Sequence, residues 1–185
     1  MTAPLWSRAA DGVREGLLAD PAPEVRVALA GLFERGPEVR PAPRARIGDP
    51  GPAVRGEAAQ DLEVPTRLAL ELARGVDDLV RLSPSMREDL TEQQRAAIAC
   101  VVPRGCHQVP RWIGERGHEP DVARRVAASG HVLLRRSIAL QRRLPADELD
   151  RLAVDEDFFV RLTLCQGCRQ ARTNCWVRCT PTGTA

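Results

Sequence analysis

The cysteines are the residues of this chain whose side chains offer the most chemistry. The sequence has six of them, and four stand close together as Cys165-x2-Cys168-x6-Cys175-x3-Cys179. Four thiolates at this density suit a tetrahedral zinc site or an iron–sulfur cluster, although the spacing matches neither a ferredoxin run nor the paired knuckles of a zinc ribbon. We predict that they hold no metal and that the protein has no cofactor; a metal- or cluster-carrying protein is the alternative. Disulfide chemistry is disfavoured in a reducing cytosol.

A second place for cysteine chemistry is the pair Cys106 and His107, with Cys100 nearby. A cysteine and a histidine can act as nucleophile and base, but adjacent residues rarely face each other and no third orienting group is apparent. The apolar run at residues 98–101 predicts a helix, with Cys100 in the core. The sequence shows no phosphate loop, no Gly-x-Ser-x-Gly and no His-Glu-x-x-His. We therefore predict no catalytic residues and no enzyme.

An internal repeat predicts the elements that carry these residues. The sequence Asp-Pro-Ala-Pro-Glu-Val-Arg at residues 20–26 recurs as Asp-Pro-Gly-Pro-Ala-Val-Arg at residues 49–55. Looser copies extend this to five key arginines: Arg26, Arg55, Arg81, Arg135 and Arg161. They are separated by 29, 26, 54 and 26 residues, so one unit between the third and the fourth is degenerate.

Each key arginine is followed, four residues later, by a small side chain. These are Ala30, Ala59, Ser85, Ala139 and Cys165. A small residue at a fixed place suits a helix that lies close to its neighbour, so Cys165 is predicted to be a buried packing residue. Asp20 and Asp49 can cap such a helix, and Pro21 and Pro50 suit its first turn.

A second helix completes each unit. Residues 64–73 begin with Val-Pro, residues 144–153 begin with Leu-Pro, and residues 109–113 are a partial copy that begins with Val-Pro. Proline suits the first turn of a helix, and apolar residues follow it at helical spacing. A unit of helix, turn and helix over about 26 residues, without β alternation, predicts an all-α fold.

These units resemble the leucine-rich repeat variant family, a relative of the HEAT and armadillo repeats. The resemblance rests on Leu-Ala-Asp-Pro at residues 18–21 leading to Val25 and Arg26, on Leu152 and Ala153 leading to Asp155, Val160 and Arg161, and on the proline-started helices. It implies an α-solenoid of short stacked helix pairs wound into a right-handed superhelix, with no general catalytic role. Some proteins with such repeats carry an iron–sulfur module, at the opposite end of the chain from these cysteines.

The resemblance divides the chain into two parts. It covers most of residues 15–165, fits poorly at about 82–130, and predicts a repeat domain over residues 1–167. Residues 168–185 contain three arginines and no acid, and they leave the pattern where a proline-started helix is due. We expect this tail to be disordered or to be read in a shifted frame.

The first and last repeats of such a domain expose apolar surface unless another segment packs over them. Without a following helix we expect Phe158, Leu162 and Leu164 to be partly exposed, and the chain to self-associate through this last repeat. At the other end, Trp6 with Leu5 is predicted to pack over the first repeat.

Three further side chains have simple structural explanations. His118 and His131 stand alone and are expected in loops or on the surface. Trp112, beside Ile113, is expected in the core rather than in a ligand site.

The charge pattern bears on nucleic acids. All 27 basic residues are arginine, against 25 acids, and the absence of lysine and tyrosine indicates a high-GC genome. Arginine pairs at 124–125, 135–136 and 142–143 suit a phosphate backbone. The net charge of +2 and the 3% of aromatic residues disfavour such binding. We expect the arginines to pair with acids across neighbouring repeats on solvated faces, and keep a nucleic-acid binder as a third hypothesis.

The last two predictions concern cellular location and function. No apolar run approaches the roughly 20 residues of a membrane span, and no signal peptide is evident, so we expect a cytoplasmic protein. The function predicted is a non-enzymatic scaffold that binds another protein through the concave face of the solenoid.

Overall fold

The computed structural model describes residues 11–32, 46–106 and 108–167. These ranges contain eleven α-helices and no β-strand, which confirms the prediction of an all-α fold. In chain order the helices are α1 (Asp11–Leu18), α2 (Pro23–Leu32), α3 (Pro52–Gln60), α4 (Thr66–Leu72), α5 (Asp78–Ser85), α6 (Glu92–Ala96), α7 (Arg111–Arg116), α8 (Pro120–Ala127), α9 (Val132–Ala139), α10 (Ala146–Ala153) and α11 (Phe158–Gly167). None of these helices is long and apolar enough to cross a bilayer.

The helices fall into two compact units. The first contains α1 to α5 together with Ile98–Val101, and the second contains α6 to α11. In the first unit, α2 packs against α1 and α3, and α5 packs against α3 and α4. In the second unit, both α9 and α10 pack against α8 and α11. Each unit is therefore built from short helices that contact helices one or two places away in the chain.

The helices predicted to follow a proline are present. Pro65, Pro110 and Pro145 stand immediately before α4, α7 and α10, with φ of −53°, −56° and −55°. Each proline is the N-cap and not part of the first turn, and its carbonyl accepts the N–H of the residue four places later. The residues before two of these prolines, Val64 and Leu144, are buried. These segments therefore fold as local sequence chemistry predicts.

The helices that follow the Asp-Pro sequences begin later than predicted. α2 begins at Pro23 and α3 at Pro52, so Pro21 and Pro50 lie before the helices rather than in their first turns. The carboxylate of Asp49 accepts the N–H of Gly51 at 2.7 Å, and Gly51 is the N-cap. Asp49 therefore closes an Asx turn ahead of the helix and does not cap the helix itself.

Small residues lie where α3 and α5 meet, as predicted from the repeat. Ala59 and Ser85 have no exposed surface. A Cβ added to Gly56 would lie 3.1 Å from the Oγ of Ser83, so the two helices are in close contact here. The backbones approach closely because no large side chain separates them.

Helix α9 is the most completely buried element of the second unit. Every residue from Leu133 to Ala139 is buried, and Ala139 has no exposed surface. A Cβ on Gly167, the last residue of α11, would lie 2.8 Å from the Cα of Leu140. Cys165, predicted to be buried like Ala139, is only half-buried.

The degenerate middle of the repeat contains the shortest described helix. α6 has five residues and a capping box in which Thr91 and Gln94 bind each other's backbone N–H groups. The predicted helix over residues 98–101 is wrong, because α6 ends at Ala96. Two valines followed by Pro103 disfavour helical backbone in this stretch. Cys100 is half-buried and packs against the cluster of Ala73, Leu90 and Ile98.

Candidate protein-interaction site

The five key arginines share one hydrogen-bonding role. Each donates from Nη1 to a carbonyl six residues before it, in the loop that leads into its own helix. Arg135, for example, donates to the carbonyls of Ser129 at 3.0 Å and Gly130 at 3.2 Å. The guanidinium therefore fixes the loop against the helix that follows it.

The opposite edge of the guanidinium joins one repeat to the next. Arg26 donates from Nε and Nη2 to both oxygens of Asp49, at 2.9 and 3.0 Å. Arg135 does the same to Asp155, at 2.8 and 3.3 Å. Arg55 lies farther from its acid, with Nη2 at 3.9 Å from the carboxylate of Asp77. We call this series of contacts the arginine ladder.

The aspartates of the two close ladder contacts, Asp49 and Asp155, also hold their own loops. Asp49 accepts the N–H of Gly51, and Asp155 accepts the N–H of Asp157 at 2.9 Å. The hydrogen bonds from Arg26 hold the pKa of Asp49 below its usual value, against the effect of its burial. One carboxylate thus accepts hydrogen bonds from both a turn N–H and a guanidinium.

In the loop before α9, an acid stands between the arginine and the loop. Arg95 donates to Glu92 at 3.1 Å, and Glu92 accepts the hydroxyl of Ser129 and the N–H of Gly130. Burial raises the pKa of Glu92, but the hydrogen bonds from Gly130 and Ser129 and the charge of Arg95 outweigh it and lower the pKa. Ser129 occupies the place of the loop aspartate, since its Oγ accepts the N–H of His131.

The ladder is interrupted after α5. Arg81 bonds the carbonyl of Gly75, as its repeat position requires, but its Nη2 contacts Asp78 of its own helix. This interruption coincides with the degenerate unit that the arginine spacing predicts.

Two further arginines are buried among backbone carbonyls. Arg87 donates to the carbonyls of Asp61 at 2.6 Å and Val64 at 3.0 Å, and binds Asp89 with two nitrogens. Arg136 binds both oxygens of Asp157, at 2.9 and 2.8 Å, and these bonds lower the pKa of Asp157. Such groups tolerate burial because their charges and N–H groups are matched.

This burial corrects one expectation about the arginine pairs. Arg135 and Arg136 pair with acids of a neighbouring repeat, as expected, but they are buried and not on a solvated face. Arg124 is exposed and contacts Asp121 at 3.0 Å, while Arg125 lies over the ring of Trp112 at 5.5 Å.

Trp112 and its neighbour differ in burial. Ile113 has no exposed surface, as predicted, whereas Trp112 is half-buried and its ring contacts Arg125. Trp6 and Leu5 lie outside the described residues.

The structure places the cysteine cluster only in part. Cys165 lies in α11 and is disulfide-bonded, whereas Cys168, Cys175 and Cys179 lie outside the described residues. Among the described residues, no three His, Cys, Asp or Glu side chains form a group suited to a metal ion.

The other candidate side chains lie apart from one another. Cys100 and Cys106 are half-buried free thiols, and His107 is outside the described residues. His118 is exposed, as expected. His131 is the N-cap of α9 and half-buried rather than on the surface; burial lowers its pKa to about 4.

A pocket of about 350 Å³ lies in the first unit, beside the ladder contact of Arg55 and Asp77. Its walls come from α3 to α5, the loop before α5 and the helical residue Ile47. They are mainly aliphatic: Ile47, Leu68, Leu72, Val76 and Val80. Glu71 stands at the same pocket. Val76 is 97% exposed, so an apolar side chain faces water where a partner can reach it.

Comparison with known proteins assigns the chain to no family. No protein-family model, no curated protein and no solved structure matches it. The resemblance to leucine-rich repeat variant proteins therefore stays a prediction from the repeat residues.

The exposure at the end of the repeat is partly as predicted. Phe158 is 59% exposed and Leu162 is half-buried. The prediction for Leu164 is wrong, because this side chain is 1% exposed. It lies in α11, which is packed against α9 and α10.

Proposed function

We propose that this chain is a non-enzymatic helical-repeat protein that binds another protein. The arginine ladder supports this proposal most strongly. Its paired arginines and aspartates join the loop of one repeat to the loop of the next. Equivalent contacts at regular intervals are typical of repeat proteins, whose extended surfaces bind other macromolecules. The repeats would form a HEAT-like solenoid with the partner on its concave face.

The pocket beside Arg55 and Asp77 is the proposed contact point. Its aliphatic walls and the exposed Val76 favour an aliphatic side chain of the partner, because covering them removes apolar surface from water. The charged groups at the pocket are two carboxylates and one guanidinium, and the Nη1 of that guanidinium already binds two carbonyls. Glu71 is 54% exposed and its ion pair with Arg67 is 3.8 Å long, so we propose that a basic residue beside the aliphatic one meets this carboxylate.

The proposal is tested by selecting short peptides from a random library on the folded chain. The wild type is expected to enrich peptides with an aliphatic residue beside a basic one. Val76→Glu is expected to raise the Kd of such a peptide at least about tenfold, because it places a third carboxylate at an apolar contact.

Val154→Glu is a matched control. Val154 is also an exposed valine, 70% accessible, and it also directly precedes a ladder aspartate. Equal affinity of the selected peptides for both variants would reject the pocket, and failure to enrich any peptide would count against the proposed function.

A further inference from the structure

The first and the last described positions of the arginine ladder are unmatched, in addition to the interruption at Arg81. In a complete contact, the carboxylate of a loop aspartate accepts hydrogen bonds from a backbone N–H of its own turn and from the guanidinium of the preceding repeat. Asp155 accepts the N–H of Asp157 and the guanidinium of Arg135 in this way.

Asp20 is the unmatched acceptor. It accepts the N–H of Ala22 at 2.8 Å, which is the same turn that Asp49 makes with Gly51 at 2.7 Å. Asp49 also binds Arg26, but no guanidinium hydrogen-bonds the Asp20 carboxylate in the described part of the chain. The Asp20 carboxylate therefore makes the turn of a ladder aspartate, but it has no arginine partner among the described residues.

Arg161 is the unmatched donor. Its Nη1 binds the carbonyls of Asp155 and Glu156, as Arg135 binds those of Ser129 and Gly130. No carboxylate of the described residues meets its remaining edge, and residues 168–185 contain no aspartate or glutamate. The guanidinium is held in the ladder orientation without an acid.

The apolar surface near Arg161 is also less covered than its counterpart near Arg135. Leu133, two residues before Arg135, has no exposed surface, whereas Phe159, two residues before Arg161, is half-buried. Phe158 adds a ring that is 59% exposed on the same helix. In the second unit α11 packs against α9, the helix two places before it. No described helix that follows α11 packs against it.

We propose that the chain associates head to tail, with Arg161 of one copy bound to Asp20 of the next. The contact would repeat the one that Arg135 makes with Asp155, with Phe158 buried beside it. Because the two surfaces differ, each bound copy keeps one donor end or one acceptor end for a further copy, so association generates open chains or closed rings of copies. The pocket beside Arg55 and Asp77 is not part of this contact, so each proposal can be rejected without the other.

Mixing two variants tests this directly. Asp20→Arg destroys the acceptor end and keeps the donor, while Arg161→Ala destroys the donor end and keeps the acceptor without creating an acid that could pair with the new arginine. By sedimentation velocity, the wild type is expected to grow beyond dimers as concentration rises, and each variant alone to stay monomeric at concentrations where the wild type associates. The equimolar mixture is expected to form dimers and stop there, because only one productive contact remains.

Two controls guard the interpretation. Arg104→Ala and Asp147→Arg make the same substitutions at exposed positions and are expected to associate like the wild type. Asp20→Asn keeps an oxygen for the turn but loses the charge, and is expected to weaken association at least about tenfold even if a charge reversal fails to fold. A wild type that stays monomeric throughout, or association that Asp20→Asn leaves unchanged, would overturn the proposal.

Discussion

The guanidinium of Arg135 holds both carboxylate oxygens of Asp155, at 2.8 and 3.3 Å, and the two side chains are only 11% and 8% exposed. The same arginine binds the carbonyls of Ser129 and Gly130. One side chain thus ties the loop before α9 to the loop before α11. Because both charges are shielded from water, removing either partner leaves the other without compensation.

The first prediction concerns the aspartate of this contact. Asp155→Ala is expected to lower the free energy of unfolding by about 3 kcal/mol, since it strands a buried guanidinium. Urea unfolding followed by circular dichroism measures it. Glu156→Ala removes the other acid of Arg135, which is 89% exposed, and is expected to cost no more than about 0.5 kcal/mol. Equal losses in the two variants would contradict the importance of burial.

The second prediction concerns Arg87, whose side chain has no exposed surface. Arg87→Met leaves the carbonyls of Asp61 and Val64 without their donor, so the free energy of unfolding is expected to fall by about 3 kcal/mol or more. Arg67→Met is the comparison, because Arg67 is 76% exposed and its ion pair with Glu71 is 3.8 Å long. Urea unfolding is expected to show little change in that variant.

The third prediction concerns pH. Burial lowers the pKa of His131 from 6.5 to about 4, with further lowering from the charges of Arg95 and Arg135. The unfolded chain binds a proton at pH values where the folded chain does not, so stability is complete above pH 6.5 and falls as the pH drops towards 4. The loss is expected to reach about 3 kcal/mol at the lower end of this window.

Unfolding free energies measured across this pH range test the assignment to His131. His131→Gln is expected to remove most of the slope, while His118→Gln, at an exposed position, is expected to keep it. An unchanged slope in His131→Gln would assign the titration to another group.

The fourth prediction uses two glycines of opposite character. Gly167→Ala places a Cβ 2.8 Å from the backbone of Leu140 and is expected to destabilise the chain by about 1–3 kcal/mol. Gly114→Ala meets nothing within 4 Å inside α7, and is expected to stabilise the chain by about 0.5–1 kcal/mol because alanine is the better helix former. Thermal unfolding is expected to move in opposite directions; a shared direction would contradict the packing described for Gly167.

The sequence predicts the local features of this fold well. The helices after Pro65, Pro110 and Pro145 begin where the prolines indicate, because helix initiation depends on residues that are neighbours in the chain. The burial of Ala59 and Ala139 also follows from the repeat, since their neighbours recur at a fixed interval.

Features that depend on distant residues are missed. The spacing of the key arginines is visible in the sequence, but the aspartates they bind lie 20 to 23 residues away. The same partners explain why Arg135 is buried rather than solvated. An aspartate six residues before both Arg55 and Arg161 was the signal that could have revealed the ladder.

The ladder is tested most directly by a double-mutant cycle on Arg135 and Asp155. Unfolding free energies of Arg135→Ala, Asp155→Ala and the double variant give the interaction energy of the pair. Because the two groups form two hydrogen bonds away from water, the coupling is expected to be at least about 1.5 kcal/mol. Additivity of the single changes to within about 0.5 kcal/mol would contradict the ladder as the contact that joins the repeats.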